Sequence, residues 1–461
     1  MTMAPVHGET ASEHDIGHDH AAMLRRWMWR DFANIILGVW LIAAPSIFGY
    51  RDAWISWSNI ISGGLVVTLG IMTLSPRFDL ARWGLCFIGI WLMFAPLVFW
   101  VRDPAAYAND TLIGALVITF SVLMPMMPSR AHHQVMMMPG PDTPPGWSYN
   151  PSDWIQRGPI IAMAFVGFFL SRYLAAYQLG HIGYPWDPFF GDGTRRVLDS
   201  DVSKAWPISD AGLGAVSYMV EALSGFMGGR NRWRTMPWMV LMFGVLVVPV
   251  GIVSIVLIIL QPVAVGAWCT LCLVTAAAML IMISPAIDEV VAMGQFLAGA
   301  RREGKPLWRT FWIGGTLEQY RHVKAESAAL QPQRRSTAAR IIAATDLDNV
   351  PWNLLIAASL GIWLMAAPAL LGATGAAANN NYLAGALIVT WSVIAFGEIA
   401  RPARLLNIPI GLWLMLAPWI MLGDTDLSRW NDMLIGSAVL VFSLRRGAID
   451  ERFGGWNRFL A

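Results

Sequence analysis

The stretch MPWMVLMFGVLVVPVGIVSIVLIIL, residues 236–260, has no charged side chain and can cross the ~30 Å hydrocarbon core of a bilayer as one helix. Over all 461 residues, 56% are hydrophobic and only 13% are charged, whereas about a quarter of a soluble domain is charged. The sequence therefore predicts an all-α, polytopic membrane protein with about twelve transmembrane helices. The other apolar runs are 32–50, 58–75, 82–101, 109–127, 159–179, 210–229, 264–285, 350–371, 381–398, 403–421 and 430–445.

The basic residues are unevenly distributed between the loops, and this bias predicts the orientation of the helices. With a cytoplasmic N-terminus, only six of the 32 lysines and arginines fall in outer loops, and one more, Arg172, lies within a helix. Short translocated loops are poor in lysine and arginine. We therefore expect both termini to be cytoplasmic. The formal net charge of +2 provides no basic field of the kind that attracts nucleic acid.

Polar stretches divide the predicted helices into three blocks of four. The first 30 residues lack the apolar core of a cleavable signal, and their histidines, His7, His14, His18 and His20, are typical of a solvated tail rather than a metal site. The expected segments are a histidine-rich cytoplasmic tail at 1–30, helical blocks at 31–127, 155–293 and 350–446, cytoplasmic linkers at 128–154 and 294–349, and a cytoplasmic tail at 447–461.

The first and third blocks contain an internal repeat, which occurs twice in each. Each copy begins with a glycine, an aliphatic residue, a tryptophan and a leucine. An alanine and a proline follow, and then an asparagine with a glycine five positions after it. The four copies begin at Gly38, Gly89, Gly361 and Gly411, and their asparagine and glycine are Asn59 and Gly64, Asn109 and Gly114, Asn380 and Gly385, and Asn431 and Gly436.

Each copy predicts a helical hairpin, because small residues let two membrane helices approach closely. The repeat resembles the SPW repeat of small bacterial membrane proteins. Alanine stands where that motif has serine, and only Pro418-Trp419 keeps its tryptophan. The resemblance implies two SPW-like hairpins in each outer block and a place in the bacterial inner membrane.

The central block contains the motif Trp268-Cys269-Thr270-Leu271-Cys272 at the start of the eighth predicted helix. A C-x-x-C pair at a helix N-terminus favours thiolate formation, because the helix dipole and free backbone N–H groups stabilise the anion. No histidine follows Cys272, as c-type haem attachment requires, and no second cysteine pair completes a zinc site. Two interpretations stay open, a redox-active dithiol and a pair of inert packing residues.

The central block resembles the vitamin K epoxide reductase family and its bacterial quinone-linked homologues. The resemblance rests on Trp268 to Cys272, on Arg196-Val197-Leu198-Asp199-Ser200, and on Gly212-Leu213-Gly214 with Tyr218. It implies a four-helix bundle that holds a lipid quinone, menaquinone or ubiquinone, with Ser200, Trp268 and Tyr218 in its pocket. Cys272 would pass electrons to the quinone, and Cys269 would exchange with an extracytoplasmic thiol protein of the thioredoxin type.

One feature of that family is missing from this sequence. The outer loop from Gly180 to Asp210 normally carries one or two relay cysteines, and here it has none; Thr194 occupies the expected position of the second. Either a partner thiol reaches Cys269 directly, or the protein no longer oxidises other proteins. In the same loop, residues 181–190 are aromatic and proline-rich, and either cap the bundle or form an interfacial aromatic belt.

One carboxylate is expected inside the membrane. Glu221 falls near the middle of the sixth predicted helix, where an ionised side chain is costly. We expect it either to pair with Arg172 of the fifth helix or to relay protons during quinone reduction.

Three functions follow from these features. The first is a membrane thiol-disulfide oxidoreductase that exchanges electrons between Cys269/Cys272 and a lipid quinone. The second is a non-catalytic membrane scaffold or assembly protein built on a degenerate redox bundle, which the missing relay cysteines favour. The third is a transporter, which rests only on the helix count and the paired repeat blocks.

Overall fold

The computed structural model describes residues 28–78, 80–122, 140–318 and 351–460, together with residues 135, 138 and 320. The histidines of the N-terminal tail, residues 128–134 of the first expected linker and residues 321–349 of the second lie outside this part. The described chain is all helical, with no strand. Its twelve main helices are α1 Trp29–Phe48, α2 Ala53–Thr73, α3 Ala81–Val98, α4 Pro104–Val122, α5 Trp154–Gln178, α6 Asp210–Phe226, α7 Pro237–Leu260, α8 Thr270–Arg302, α9 Trp352–Leu371, α10 Gly375–Ile394, α11 Asn407–Leu416 and α12 Asp426–Leu444.

These helices make the chain a multi-pass membrane protein, and each lies at one of the predicted apolar runs. Within the described residues, eight are long and apolar enough to cross a bilayer on these grounds alone, namely α1 to α5 and α7 to α9. Helix α6, the least apolar predicted run, has only 17 residues. Helix α11 ends at Leu416 and continues as a 3-10 turn through Pro418, the proline of the fourth repeat.

Close approach of two glycines joins the helices of every repeat hairpin. A Cβ atom added to Gly361 would lie 2.8 Å from the carbonyl oxygen of Gly385, and the pairs Gly89 with Gly114 and Gly411 with Gly436 are equally close. In the first hairpin the partner of Gly38 is Gly63, not Gly64 as the sequence spacing suggested, since Gly64 faces open space. The contact depends on which face of α2 is turned towards α1.

The two hairpins of each block are joined by polar side chains buried near the repeat asparagines. In the first block, Trp40 Nε1 donates to Asn109 Oδ1 at 2.8 Å, and Asn59 Nδ2 donates to Asp110 Oδ1 at 2.9 Å. The third block has the same arrangement, in which Trp363 donates to Asn431 at 2.9 Å and Asn381 donates to Asp432 at 3.0 Å. The repeat tryptophan and asparagine therefore connect one hairpin to the other.

The chain forms two compact units, of which one contains α1 to α4 and the other α5 to α12. In the second unit, α5, α6, α7 and α8 form a bundle, with α5 against both α6 and α8, and α10 packs on α7 and α8. The end of this bundle that carries Cys269 and Cys272 is called the dithiol end below.

At the opposite end of the second unit, a hydrophobic core extends beyond the expected domain boundaries. Helix α8 continues to Arg302, beyond the boundary expected at 293, because Ala292, Phe296 and Ala300 form one apolar stripe. Residues expected in a linker and in a C-terminal tail complete this core, including Trp147 and Phe453. The core thus joins the central and third blocks.

Candidate redox site

The dithiol lies at the N-terminus of α8, where the backbone geometry is set by a tight turn. The π-helical turn Gln261–Val265 ends at Gly266, whose positive φ of 66° favours glycine. The side chain of Gln261 accepts a hydrogen bond from the Cys269 N–H at 2.9 Å. Cys269 is the N-cap residue of α8 rather than part of its first turn, and it forms a disulfide with Cys272.

The two sulfurs differ in exposure. Cys269 is completely buried in an apolar cluster with Leu174, Leu198 and Leu271, whereas Cys272 is half-buried. The Cys272 N–H points at Cys269 Sγ, at 3.1 Å. A partner thiol cannot reach Cys269 in this conformation, because its side chain is fully buried in this cluster, which includes Leu198 of the short outer-loop helix Gly193–Asp199.

The outer loop is attached to the start of α8 through the carboxylate of Asp187. Its Oδ2 accepts from Thr194 Oγ1 at 2.6 Å and from the Thr194 N–H at 3.1 Å. Its Oδ1 accepts from Thr270 Oγ1 at 2.6 Å, and Oδ2 also accepts from the Thr270 N–H at 3.3 Å. Burial opposes the charged form, but these hydrogen bonds outweigh it and hold the pKa of Asp187 well below its usual range. We call this set of hydrogen bonds the Asp187 bridge.

Thr194 lies at the dithiol end, close to the cysteine pair. It is fully buried, and its neighbour Gly193 is so close to Trp268 that an added Cβ would lie 2.1 Å from the Trp268 carbonyl oxygen. The residue at the expected relay position is therefore next to the dithiol in space, although it carries a hydroxyl in place of a thiol.

The hydroxyls of Ser200 and Tyr218 donate to protein atoms in this structure. Ser200 Oγ donates to the carbonyl oxygen of Val197 at 2.7 Å, as the cap of a turn would. The Tyr218 hydroxyl donates to the carbonyl oxygen of Thr275 at 2.7 Å and so ties α6 to α8. Neither bonds to the cysteines.

Trp268 lies between the outer loop and the third block. Its ring packs edge-to-face on Tyr382 of α10, with centroids 5.7 Å apart, and at 6.4 Å from Phe190 of the outer loop. Phe190 thus covers part of the site, while Trp186 and Phe189 of the same segment are mostly exposed. Whether this segment caps the bundle or forms an interfacial aromatic belt stays a prediction.

The structure does not bring Arg172 and Glu221 together. Gly167 of α5 faces Tyr218 of α6, and this register places Glu221 about two turns away from Arg172 along α5. Glu221 is fully buried, and neither of its carboxylate oxygens has a hydrogen-bond partner among the described residues. The guanidinium of Arg172 lies 6.0 Å from the ring of Phe168.

Sequence reasoning missed three residues of this site. Asp187 stands before a proline in a turn sequence, and Gln261 is the polar residue that ends a long apolar run, so both gave a local signal. Tyr382 gave none, since its contact with Trp268 joins distant parts of the chain. No group of three or more histidine, cysteine or acidic side chains suited to a metal ion occurs within the described ranges.

Comparison with known families agrees with this architecture. Residues 159–287 match the Vitamin K epoxide reductase family. The central block is a domain of that family. Residues 28–124 and 351–446 match the SPW repeat domain, so both resemblances expected from the sequence are confirmed. Comparison with curated proteins and with solved structures finds no significant match.

The presence of a vitamin K epoxide reductase domain indicates a function of the membrane thiol-disulfide oxidoreductase type. It also implies, in general terms, a quinone as the electron acceptor and a thiol partner. The apolar helices of the domain and of the SPW repeats place the protein in a lipid bilayer.

Proposed function

We propose that the protein is a thiol-disulfide oxidoreductase of the bacterial inner membrane, in which Cys269 and Cys272 exchange electrons with a lipid quinone. Both termini are cytoplasmic, and the dithiol end faces the extracytoplasmic side. The observation that carries the proposal is the Cys269–Cys272 disulfide at the N-terminus of α8, inside the segment that matches the vitamin K epoxide reductase family.

Thiol-disulfide exchange at the cysteine pair takes place in two steps. A thiolate of the extracytoplasmic partner attacks Sγ of Cys269, the Cys269–Cys272 bond breaks, and Cys272 leaves as a thiolate. The second thiol of the partner then displaces Cys269, which leaves a disulfide in the partner and a dithiol in this protein. A bound quinone accepts the two electrons and two protons that restore the Cys269–Cys272 disulfide.

The residues around Cys272 suit an apolar electron acceptor. Cys272 is half-buried, and its neighbours Leu273 and Val274 are partly exposed on the surface of the bundle. Tyr218 and Ser200 offer no proton from their hydroxyls in this conformation, since both already donate within the protein. Glu221 is fully buried, and neither of its carboxylate oxygens has a hydrogen-bond partner among the described residues, so we assign it the proton-relay role.

The test is the redox state of the pair in membranes depleted of their own quinone, read by thiol alkylation and mass shift. After reduction with dithiothreitol and its removal, we expect Cys269 and Cys272 to be reoxidised when menaquinone or ubiquinone is added and to stay reduced without it. Cys86, buried in α3, serves as an internal control that stays a free thiol. Reoxidation at the same rate without quinone would refute the proposal.

The second candidate, a non-catalytic scaffold, is supported by the burial of Cys269 and by threonine at the expected relay position. It predicts that the pair does not change its redox state with quinone. In that case replacement of both cysteines by serine would leave the protein's role intact.

A further inference from the structure

The outer loop closes over Cys269, and one carboxylate supplies most of the polar contact between the loop and α8. Asp187 accepts from Thr194 on the loop side and from Thr270 on the α8 side, and Thr270 is the residue after Cys269. Among the described residues, Arg196 of the loop also donates to the carbonyl oxygen of Val265 at 3.5 Å.

One short helix links the burial of Cys269 to the Asp187 bridge. Thr194, which donates to Asp187, and Leu198, which covers Cys269, lie on the same short helix, Gly193–Asp199. If the bridge opens, this helix loses its polar attachment to α8. Its other contacts are the close approach of Gly193 to Trp268 and the packing of Leu198 with Cys269 and Leu271. Arg196 also donates to the carbonyl oxygen of Val265, and the Tyr177 hydroxyl donates to Asp199.

We propose that Asp187 is a positioning residue that controls access of thiol substrates to Cys269, and that the substrate enters when the Asp187 bridge opens. This inference rests on the thiol exchange proposed above and adds how it is regulated. The substrate thiol then reaches Cys269 itself, without a relay cysteine, because the loop carries Thr194 at that position. Hydrogen-bond donors of a bound partner that replace Thr194 or Thr270 at the carboxylate would open the bridge.

The experiment measures how fast Cys269 and Cys272 react with iodoacetamide in the full-length protein in quinone-free lipid vesicles, after reduction and removal of the reductant. Mass spectrometry resolves the two cysteines. In the unaltered protein we expect Cys269 to react more slowly than Cys272. Asp187→Ala should raise the Cys269 rate about tenfold or more, as expected when hydrogen bonds to a charged group are lost.

Four further variants sharpen the result. Thr194→Val should act like Asp187→Ala, and the double variant should react no faster than Asp187→Ala alone, because both changes open the same bridge. Asp187→Asn, which keeps an acceptor, should give an intermediate rate. Asp192→Ala is the matched control, since Asp192 is an exposed carboxylate at the N-cap position of the same short helix and its side chain makes no cap hydrogen bond, so the rate should not change.

The pH profile separates an effect on the accessibility of Cys269 from an effect on the ionisation of its thiol. Removal of a carboxylate near a helix N-terminus also favours the thiolate, but that effect vanishes once pH is high enough for full ionisation. We expect the ratio of Cys269 rates in Asp187→Ala and the unaltered protein to persist on this plateau. Equal plateau rates, or equal effects of Asp187→Ala and Asp192→Ala, would overturn the inference.

Two internal comparisons keep the result interpretable. A variant that unfolds would expose both cysteines equally, whereas opening of the bridge raises the ratio of Cys269 to Cys272 modification. No quinone is present, so the outcome is independent of quinone-dependent reoxidation. If Asp187 controls access to Cys269 but added quinone does not reoxidise the cysteine pair, the proposed function is wrong and the inference about the Asp187 bridge is still supported.

Discussion

At the residue scale, the site combines a dithiol with a carboxylate that attaches the loop above it. Cys269 is buried and N-caps α8, while Asp187 accepts hydrogen bonds from Thr194 and Thr270. This arrangement favours a closed resting state of the dithiol end. In the proposed function, access of a substrate thiol to the C-x-x-C pair thus depends on a loop residue that carries no redox chemistry.

Asp187 should make the stability of the dithiol end depend on pH. Its pKa is lower in the folded than in the unfolded state, so its contribution is fully present above the unfolded-state pKa of about 3.9 and is lost as pH falls below that value. We expect the unfolding temperature in detergent to fall between pH 7 and pH 3 less in Asp187→Ala than in the unaltered protein. An identical fall in both would contradict the assignment.

The buried network of the repeats gives a second prediction at this scale. Asn381→Ala removes the amide that donates to the buried carboxylate of Asp432, and should destabilise the second unit by about 1–3 kcal/mol. Thermal unfolding in detergent measures the effect. The control is Asn379→Ala, since Asn379 is exposed on the same helix. Equal effects of the two variants would show that the network does not stabilise the block.

At the scale of elements, glycine contacts determine how the repeat helices pair. A Cβ on Gly63 would lie 2.6 Å from the Gly38 carbonyl oxygen, while one on Gly64 would meet nothing within 4 Å. The face of α2 that is buried, rather than the spacing from Asn59, decides which glycine makes the contact.

Two adjacent substitutions test this pairing. Gly63→Ala should lower the free energy of unfolding by about 1–3 kcal/mol, because the helices must separate. Gly64→Ala should raise it by up to about 1 kcal/mol, since alanine is the better helix former. Opposite shifts of the thermal unfolding midpoint are expected, and shifts of the same sign and size would contradict the contact.

At the scale of the whole molecule, the third block and the polar segments complete the central block. Tyr382 of α10 supports Trp268 beside the dithiol, and residues near the C-terminus enter the hydrophobic core at the opposite end. The SPW-like hairpins after the central block thus have a structural role in the second unit.

A residue close to the end of the chain should therefore be important for stability. Phe453 is almost fully buried against Trp147 and Tyr149, so Phe453→Ala should destabilise the second unit by about 3–5 kcal/mol. Phe459→Ala, at a ring that is half exposed, should cost far less. Chemical denaturation in detergent measures both. A small effect at Phe453 would mean that the C-terminal segment is not part of the core.

The sequence by itself determined the helical membrane class, the positions of the helices, the repeats and the cysteine pair. Each of these depends on composition or spacing along the chain, such as the uncharged run at 236–260. The pair of Cys269 and Cys272 could be recognised for the same reason, since only two residues lie between the two cysteines.

Only the tertiary structure decided which groups meet across helices. It put Asp187 against Thr270, Tyr382 against Trp268 and Gly63 against Gly38, and it separated Glu221 from Arg172. Helix rotation and antiparallel register fix these contacts, and a change of one residue in register turns a side chain by about 100°. Because packing of the entire bundle sets both, spacing in one sequence cannot reveal them.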